Sequence, residues 1–82
     1  MRRASNSIVH NIAEGFGRYE PRDKTRFYKI SRGSSFELIS QLLVSYELKY
    51  INSKSIRDEL IHSCKNIISE LNSIIKTLET KP

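Results

Sequence analysis

Residues that break helices are rare in this chain of 82 residues. Proline stands only at Pro21 and Pro82, and glycine only at Gly15, Gly17 and Gly33. Long stretches free of both favour long helices, because proline interrupts a helix from its interior and glycine weakens one. Apolar residues recur at spacings of three and four, and strand-like alternation is absent. The sequence therefore predicts an all-α fold built from a few long helices.

Three helices are predicted, joined by two short connections. They are predicted over residues 2–16, 21–49 and 53–78. Pro21 suits the first position of the second helix, where its missing N–H is no loss. Asn52 or Ser53 can cap the third helix. The predicted fold class is an antiparallel helical bundle in a single domain, residues 1–82.

Polar and small residues interrupt the apolar faces of the first two helices. A polar stripe on the first helix can meet polar residues on the second, and pairing is needed because an unpaired buried polar group costs about 1–3 kcal/mol. The predicted structural polar network comprises Asn11, Glu14, Ser34, Glu37 and Gln41. Beside it, Arg3 and Arg18 either join this network or reach solvent and bind phosphate. Gly33, next to two serines, predicts close approach of a neighbouring helix, with a simple bend as the alternative.

The third helix carries a wide apolar stripe. A heptad seam consists of Leu60, Cys64, Ile67, Leu71, Ile74 and Leu78, and Ile61, Ile68 and Ile75 widen it. One antiparallel neighbour does not need so broad a stripe. The pattern therefore predicts that a fourth helix or another chain covers part of it.

The net charge of +5 arises entirely from the first two-fifths of the chain. The predicted nucleic-acid-binding residues are the eight cations of that segment: Arg2, Arg3, Arg18, Arg22, Lys24, Arg26, Lys29 and Arg32. Tyr19 and Tyr28 are interleaved with them and could stack on bases. A one-sided basic segment favours a polyanionic partner, with a merely solvated surface as the alternative. Charge fits many polyanions and carries no sequence code.

Catalytic and metal-binding patterns are not found. His10 and His62 lie on different predicted helices without cysteine or acidic pairs at ligand spacing, and no nucleophile elbow or phosphate loop occurs. Cys64 is the single cysteine, which excludes an intrachain disulfide and suits a small buried hydrophobe. We therefore expect no enzyme activity, no cofactor and no metal. No apolar run reaches the length of a membrane span and no signal peptide follows Met1, so a cytoplasmic location is expected.

Two strings carry a resemblance to a known family. R-A-x-x-S-I-x-x-N-I-A-E-G-x-x-R runs from Arg3 to Arg18, and G-S-x-x-E-x-x-x-Q-L runs from Gly33 to Leu42. The chain resembles the bacterial four-helix-bundle proteins of the 23S ribosomal RNA intervening-sequence family. These are similar to the accessory variability determinant of diversity-generating retroelements.

The resemblance implies both an assembly and a role. It implies a helical bundle in a ring-like homo-oligomer, a pentamer if the family pattern holds, with a non-enzymatic role on nucleic acid. In the retroelement relative the oligomer also binds a reverse transcriptase, which makes such a protein a possible partner here. The three predicted helices match the last three of the family's four, so the first helix of the family is expected to be lacking.

The sequence thus predicts an oligomeric helical accessory factor that binds RNA or DNA through its basic surface. The mechanism would be counterion release by arginine and lysine on phosphates, without base-specific reading. The alternative is a protein-interaction module whose basic face docks an acidic protein. A hydrolase or nuclease ranks third.

Overall fold

A computed structural model of the chain describes residues 1–80. Its three helices are α1 (Arg2–Phe16), α2 (Pro21–Glu47) and α3 (Lys54–Thr80). The predicted all-α fold is confirmed, and the predicted helix ends differ from these bounds by no more than two residues.

Local residues explain where the helices begin and end. Pro21 occupies the first turn of α2, as predicted. The Ser53 hydroxyl accepts a hydrogen bond from the Ile56 backbone N–H at 3.1 Å, which identifies Ser53 as the capping residue of α3. At the end of α1, the Lys24 ammonium donates to the carbonyl oxygens of Gly15 at 3.2 Å and Phe16 at 3.1 Å. This cation satisfies carbonyls that the helix itself leaves free.

The three helices lie side by side in one layer with α2 in the middle. Both outer helices pack against α2, and within residues 1–80 no Cα of α1 lies within 8 Å of a Cα of α3. The Cα extents are 48 × 20 × 13 Å, and the thinnest dimension is close to the roughly 10–12 Å diameter of one helix. A hydrogen bond from Lys29 to Glu79 joins the start of α2 to the end of α3, as antiparallel packing requires.

Small residues bring α1 and α2 close together. Ser31 is fully buried, and its hydroxyl donates to the carbonyl of Ile8 at 2.9 Å. Gly15 is buried against the ring of Tyr28, where a Cβ would lie only 2.6 Å from Cε1. A side chain at position 15 would therefore push the ring away, so glycine permits this contact.

The predicted role of Gly33 in close helix packing is wrong. Gly33 is exposed, and a Cβ built there would meet nothing within 4 Å. The close contact of a glycine with a neighbouring helix is instead at Gly15 of α1, which packs against the Tyr28 ring of α2.

The apolar stripe of α3 is only partly covered. Its buried line combines Cys64 and Leu71 of the heptad seam with Ile68 and Ile75 of the row beside it. Burial raises the pKa of the Cys64 thiol, since the charged form is poorly solvated there. Leu60 and Ile74 of the predicted seam each remain 43% exposed.

Those exposed residues border an apolar groove between the two outer helices, which we call the α1–α3 groove. Its walls include Val9, Ile12 and Phe16 on α1 and Leu60, Ile67 and Ile74 on α3. Tyr28 and Leu42 of α2 lie at its floor. Val9 is 69% exposed and Phe16 is 80% exposed. Within residues 1–80 nothing fills this groove, and the prediction that a fourth helix or another chain covers it stays a prediction.

Candidate nucleic-acid interface

The fold divides the eight predicted binding cations into two groups. Arg2 and Arg3 lie in the first turn of α1. The other six lie in the α1–α2 turn and in the first half of α2: Arg18, Arg22, Lys24, Arg26, Lys29 and Arg32. Because α1 rises about 1.5 Å per residue, Arg3 and Arg18 are separated by about 20 Å. The larger group of predicted cations is therefore at one end of the layer, and Arg2 and Arg3 are at the other.

Four cations of the larger group have partners within the chain. Arg18 pairs with Glu14 at 2.9 Å, one turn back. Lys29 pairs with Glu79 at 2.8 Å, and Arg32 donates to the side-chain oxygen of Asn72 at 2.8 Å. Lys24 caps α1 as described. Bonds of this exposed kind are worth about 1 kcal/mol or less, so a phosphate can compete for most of these cations.

Arg22 and Arg26 are exposed and make no side-chain hydrogen bond or ion pair within residues 1–80. Both line a cleft of about 750 Å³ between the start of α2 and the end of α3. We call it the basic cleft. Thr25 and Lys29 also line it, and Glu79 is its one acidic member. Three cations against one carboxylate make the basic cleft attractive to an anion.

Phe27 orients two of the guanidinium groups. The Arg18 guanidinium carbon lies 4.8 Å from the centroid of its ring, and that of Arg26 lies 4.4 Å away. Such cation–π contacts contribute about 0.5–1 kcal/mol at exposed sites. They hold both charged groups near the turn, where Arg18 is also paired with Glu14 while the N–H donors of Arg26 stay available.

The two tyrosines interleaved with the cations have opposite environments. Tyr19 is 97% exposed in the α1–α2 turn, whereas Tyr28 is only 8% exposed. The prediction that Tyr28 could stack on bases is wrong, because its ring is packed against Gly15, Leu71 and Ile75. Sequence reasoning overlooked Phe16 as a surface ring, although the glycine after it signals a helix end.

The predicted polar network is brought together in part. Asn11 donates to the Ser7 carbonyl at 2.8 Å and to the Ser7 hydroxyl at 3.1 Å, and Ser7 is hydrogen-bonded to Ser34 across the helix interface at 2.7 Å. Ser7, which links Asn11 to Ser34, was not among the residues predicted for this network.

The remaining members of the predicted network bond elsewhere. Glu14 pairs with Arg18, and Glu37 accepts a long hydrogen bond of 3.4 Å from Gln41. The Gln41 side-chain oxygen is buried and has no partner among the described residues. Glu14 and Glu37 therefore each bond to a side chain four residues further along the chain, and not to a residue of the facing helix.

The histidines and potential metal ligands of residues 1–80 lie apart from one another. His10 and His62 are exposed on different helices. No three His, Cys, Asp or Glu side chains of this part of the chain are grouped to hold a metal ion. Nor is any helix there both long enough and apolar enough to cross a bilayer.

These features define a class: an all-helical protein in which three helices form a thin layer, with a cluster of arginine and lysine along the start of the central helix. A model of the 23S rRNA-intervening sequence protein family matches residues 1–73, and the chain belongs to that family. Neither the curated proteins nor the solved structures include a match to the chain.

Proposed function

We propose that this protein is a non-enzymatic accessory factor that binds the phosphate backbone of RNA, and of DNA through the same chemistry. The observation that carries this proposal is the basic cleft, where Arg22 and Arg26 are exposed and make no side-chain hydrogen bond or ion pair within residues 1–80. Membership of a family named for ribosomal RNA supports RNA as the first ligand to test.

The binding energy would come from displaced counterions. Each phosphate contacted should contribute about −0.7 to −0.9 to the slope of log affinity against log salt concentration. The cleft offers Arg22, Arg26 and Lys29 for such contacts, and Arg18 contacts the same Phe27 ring as Arg26. Backbone contacts of this kind fix position but do not read sequence. The isolated positions of His10 and His62 support a role without catalysis.

The test is fluorescence anisotropy of a labelled ribosomal RNA hairpin, titrated with protein across a salt series. The double variant Arg22→Gln/Arg26→Gln should bind more weakly and show a flatter salt slope. Lys54→Gln/Lys65→Gln is the matched control, since it removes the same charge from α3, away from the basic cleft. Equal losses in the two double variants would show that only net charge matters, and would refute the cleft as the binding site.

An acidic protein is the alternative partner for the same charges. It predicts a stoichiometric complex with the acidic protein and negligible RNA affinity near physiological salt. A reverse transcriptase as a protein partner stays a prediction from the family resemblance. On either proposal the protein would act in the cytoplasm.

We also propose that the protein self-associates, with a second copy covering the α1–α3 groove. A layer with Cα extents of 48 × 20 Å offers a face of the order of 900 Å², and a stable interface uses about 800 Å² per partner. Val9 and Phe16 would lose much of their exposure in such an interface. The pentamer implied by the family resemblance stays a prediction of copy number.

Sedimentation velocity at several protein concentrations tests this self-association. Val9→Lys places a charge at the groove wall and should lower the sedimentation coefficient towards that of the monomer. Val44→Lys is the control, because Val44 is similarly exposed, at 55%, but lies outside the groove. A monomeric wild-type protein, or equal effects of the two variants, would contradict the proposal.

A further inference from the structure

Two aromatic rings project into solvent at the end of the layer where the cations gather. Tyr19 is 97% exposed in the α1–α2 turn, and Phe16 is 80% exposed at the end of α1. Burying a ring of this size contributes about 1.5–3 kcal/mol, so neither ring helps to stabilise the fold of this chain. Phe16 borders the α1–α3 groove that a second copy would cover, so Tyr19 is the ring whose face stays open to a ligand.

Cations flank both rings. Arg18 precedes Tyr19 in the chain, and the Lys24 ammonium lies 5.9 Å from the centroid of the Phe16 ring. Arg22 follows within one turn of α2 and opens onto the basic cleft. The open face of Tyr19 and several cations thus occur within a short segment around the α1–α2 turn.

A single nucleic-acid strand matches both features, whereas a duplex matches only one. Unpaired bases can stack on aromatic side chains while their phosphates bind cations. In a duplex the base faces are already stacked, so the protein meets only phosphates and groove edges. An open ring such as Tyr19 would therefore favour unpaired segments over paired ones.

We propose that the α1–α2 turn is a binding site for an unpaired nucleotide, with the base on Tyr19 and the neighbouring phosphates on the cations of the turn and the basic cleft. This inference rests on the proposed function and refines it, since it assigns single-stranded nucleic acid as the preferred ligand. A bulge, a loop or a free end would serve in an otherwise folded RNA.

The chain contains no tryptophan, which makes a direct optical test possible. Tyr19→Trp introduces a single indole fluorophore at the site, and Tyr50→Trp is its matched control. Tyr50 is also exposed, at 79%, but lies beyond the far end of α2, about 40 Å away along the helix axis. The probes are a 12-residue uridine oligomer, which lacks base pairing, and an RNA duplex of the same length.

Stacking should quench the tryptophan emission of the Tyr19→Trp variant in a saturable manner with the uridine oligomer. The duplex should leave that emission nearly unchanged, and the Tyr50→Trp variant should respond to neither probe. Equal quenching in the two variants would show general association without a site, and would overturn the inference.

Affinity measurements separate stacking from a structural role of the ring. Tyr19→Ala should weaken binding of the single strand by about 5- to 150-fold and leave duplex binding unchanged, while Tyr19→Phe should retain wild-type affinity. Equal weakening for both probes would overturn the inference. The wild-type protein could bind both probes with equal affinity while the emission of the Tyr19→Trp variant stays unchanged. That result would also overturn the inference, but the proposed binding to the phosphate backbone would stand. Absence of binding to either probe would refute the proposed function as well.

Discussion

The contact between Gly15 and Tyr28 predicts that Gly15→Ala lowers the free energy of unfolding relative to a glycine-to-alanine change elsewhere in a helix. A Cβ at position 15 would lie 2.6 Å from Cε1 of the Tyr28 ring and 2.9 Å from Cδ1. The ring is 8% exposed and packed against Leu71 and Ile75, so displacing it would disturb the packing of α2 against α3. Overpacking of this kind costs about 1–3 kcal/mol.

Gly15→Ala also brings a gain, because alanine is favoured over glycine in a helix by about 1 kcal/mol. The net change should therefore range from neutral to about 2 kcal/mol destabilising. Gly33→Ala supplies the matched control, since position 33 is helical, exposed and free of neighbours within 4 Å. It should stabilise the protein by up to about 1 kcal/mol. The difference between the two variants isolates the packing contribution.

Urea unfolding followed by circular dichroism measures both variants. With an m-value of about 1 kcal/mol/M, the two midpoints should differ by about 1–3 M. The comparison must be made at equal and low protein concentration, because self-association would raise apparent stability. A Gly15→Ala midpoint at or above that of Gly33→Ala would refute the packing argument.

Three further variants test other features of the structure. Glu79→Gln should raise RNA affinity about two- to fivefold in low-salt anisotropy titrations, because it removes the carboxylate that competes for Lys29; unchanged affinity would exclude Glu79 from the site. Ser31→Ala should lower the free energy of unfolding by about 1 kcal/mol, through loss of its hydrogen bond to Ile8; an unchanged urea midpoint would contradict this. Burial raises the pKa of the Cys64 thiol. Stability should thus hold below the ordinary thiol pKa of 9.0 and fall as pH rises above it, because the unfolded thiol ionises first. Urea midpoints at about pH 8 and about pH 10 measure this fall, and Cys64→Ala should show less of it.

Helix number and helix ends were predictable because they depend on residues close in sequence. Pro21 begins α2 and Ser53 caps α3, and both act within one turn of their own position. The concentration of cations was equally visible, since six of the eight fall between residues 18 and 32. Short-range rules are sufficient for such features.

Burial and pairing were not predictable in the same way, because they depend on residues that are distant in sequence. Tyr28 is buried only because Gly15 of another helix leaves room for its ring. The partner of Lys29 lies 50 residues away at Glu79. The periodicity of α3 revealed an apolar stripe but not that its buried line would be displaced from the heptad seam. Side-by-side packing against α2 alone explains that displacement.

The open layer has a consequence for the cooperativity of unfolding. Within residues 1–80 the backbone of α1 packs only against α2, so α1 can detach while the α2–α3 hairpin stays folded. Native-state hydrogen exchange should then show α1 amides opening at a lower free energy than those at the centre of α2. A ligand that joins the α1–α2 turn to the basic cleft would close this subglobal opening. Slower hydrogen exchange of amides throughout α1 would then report that a ligand is bound at the C-terminal end of α1.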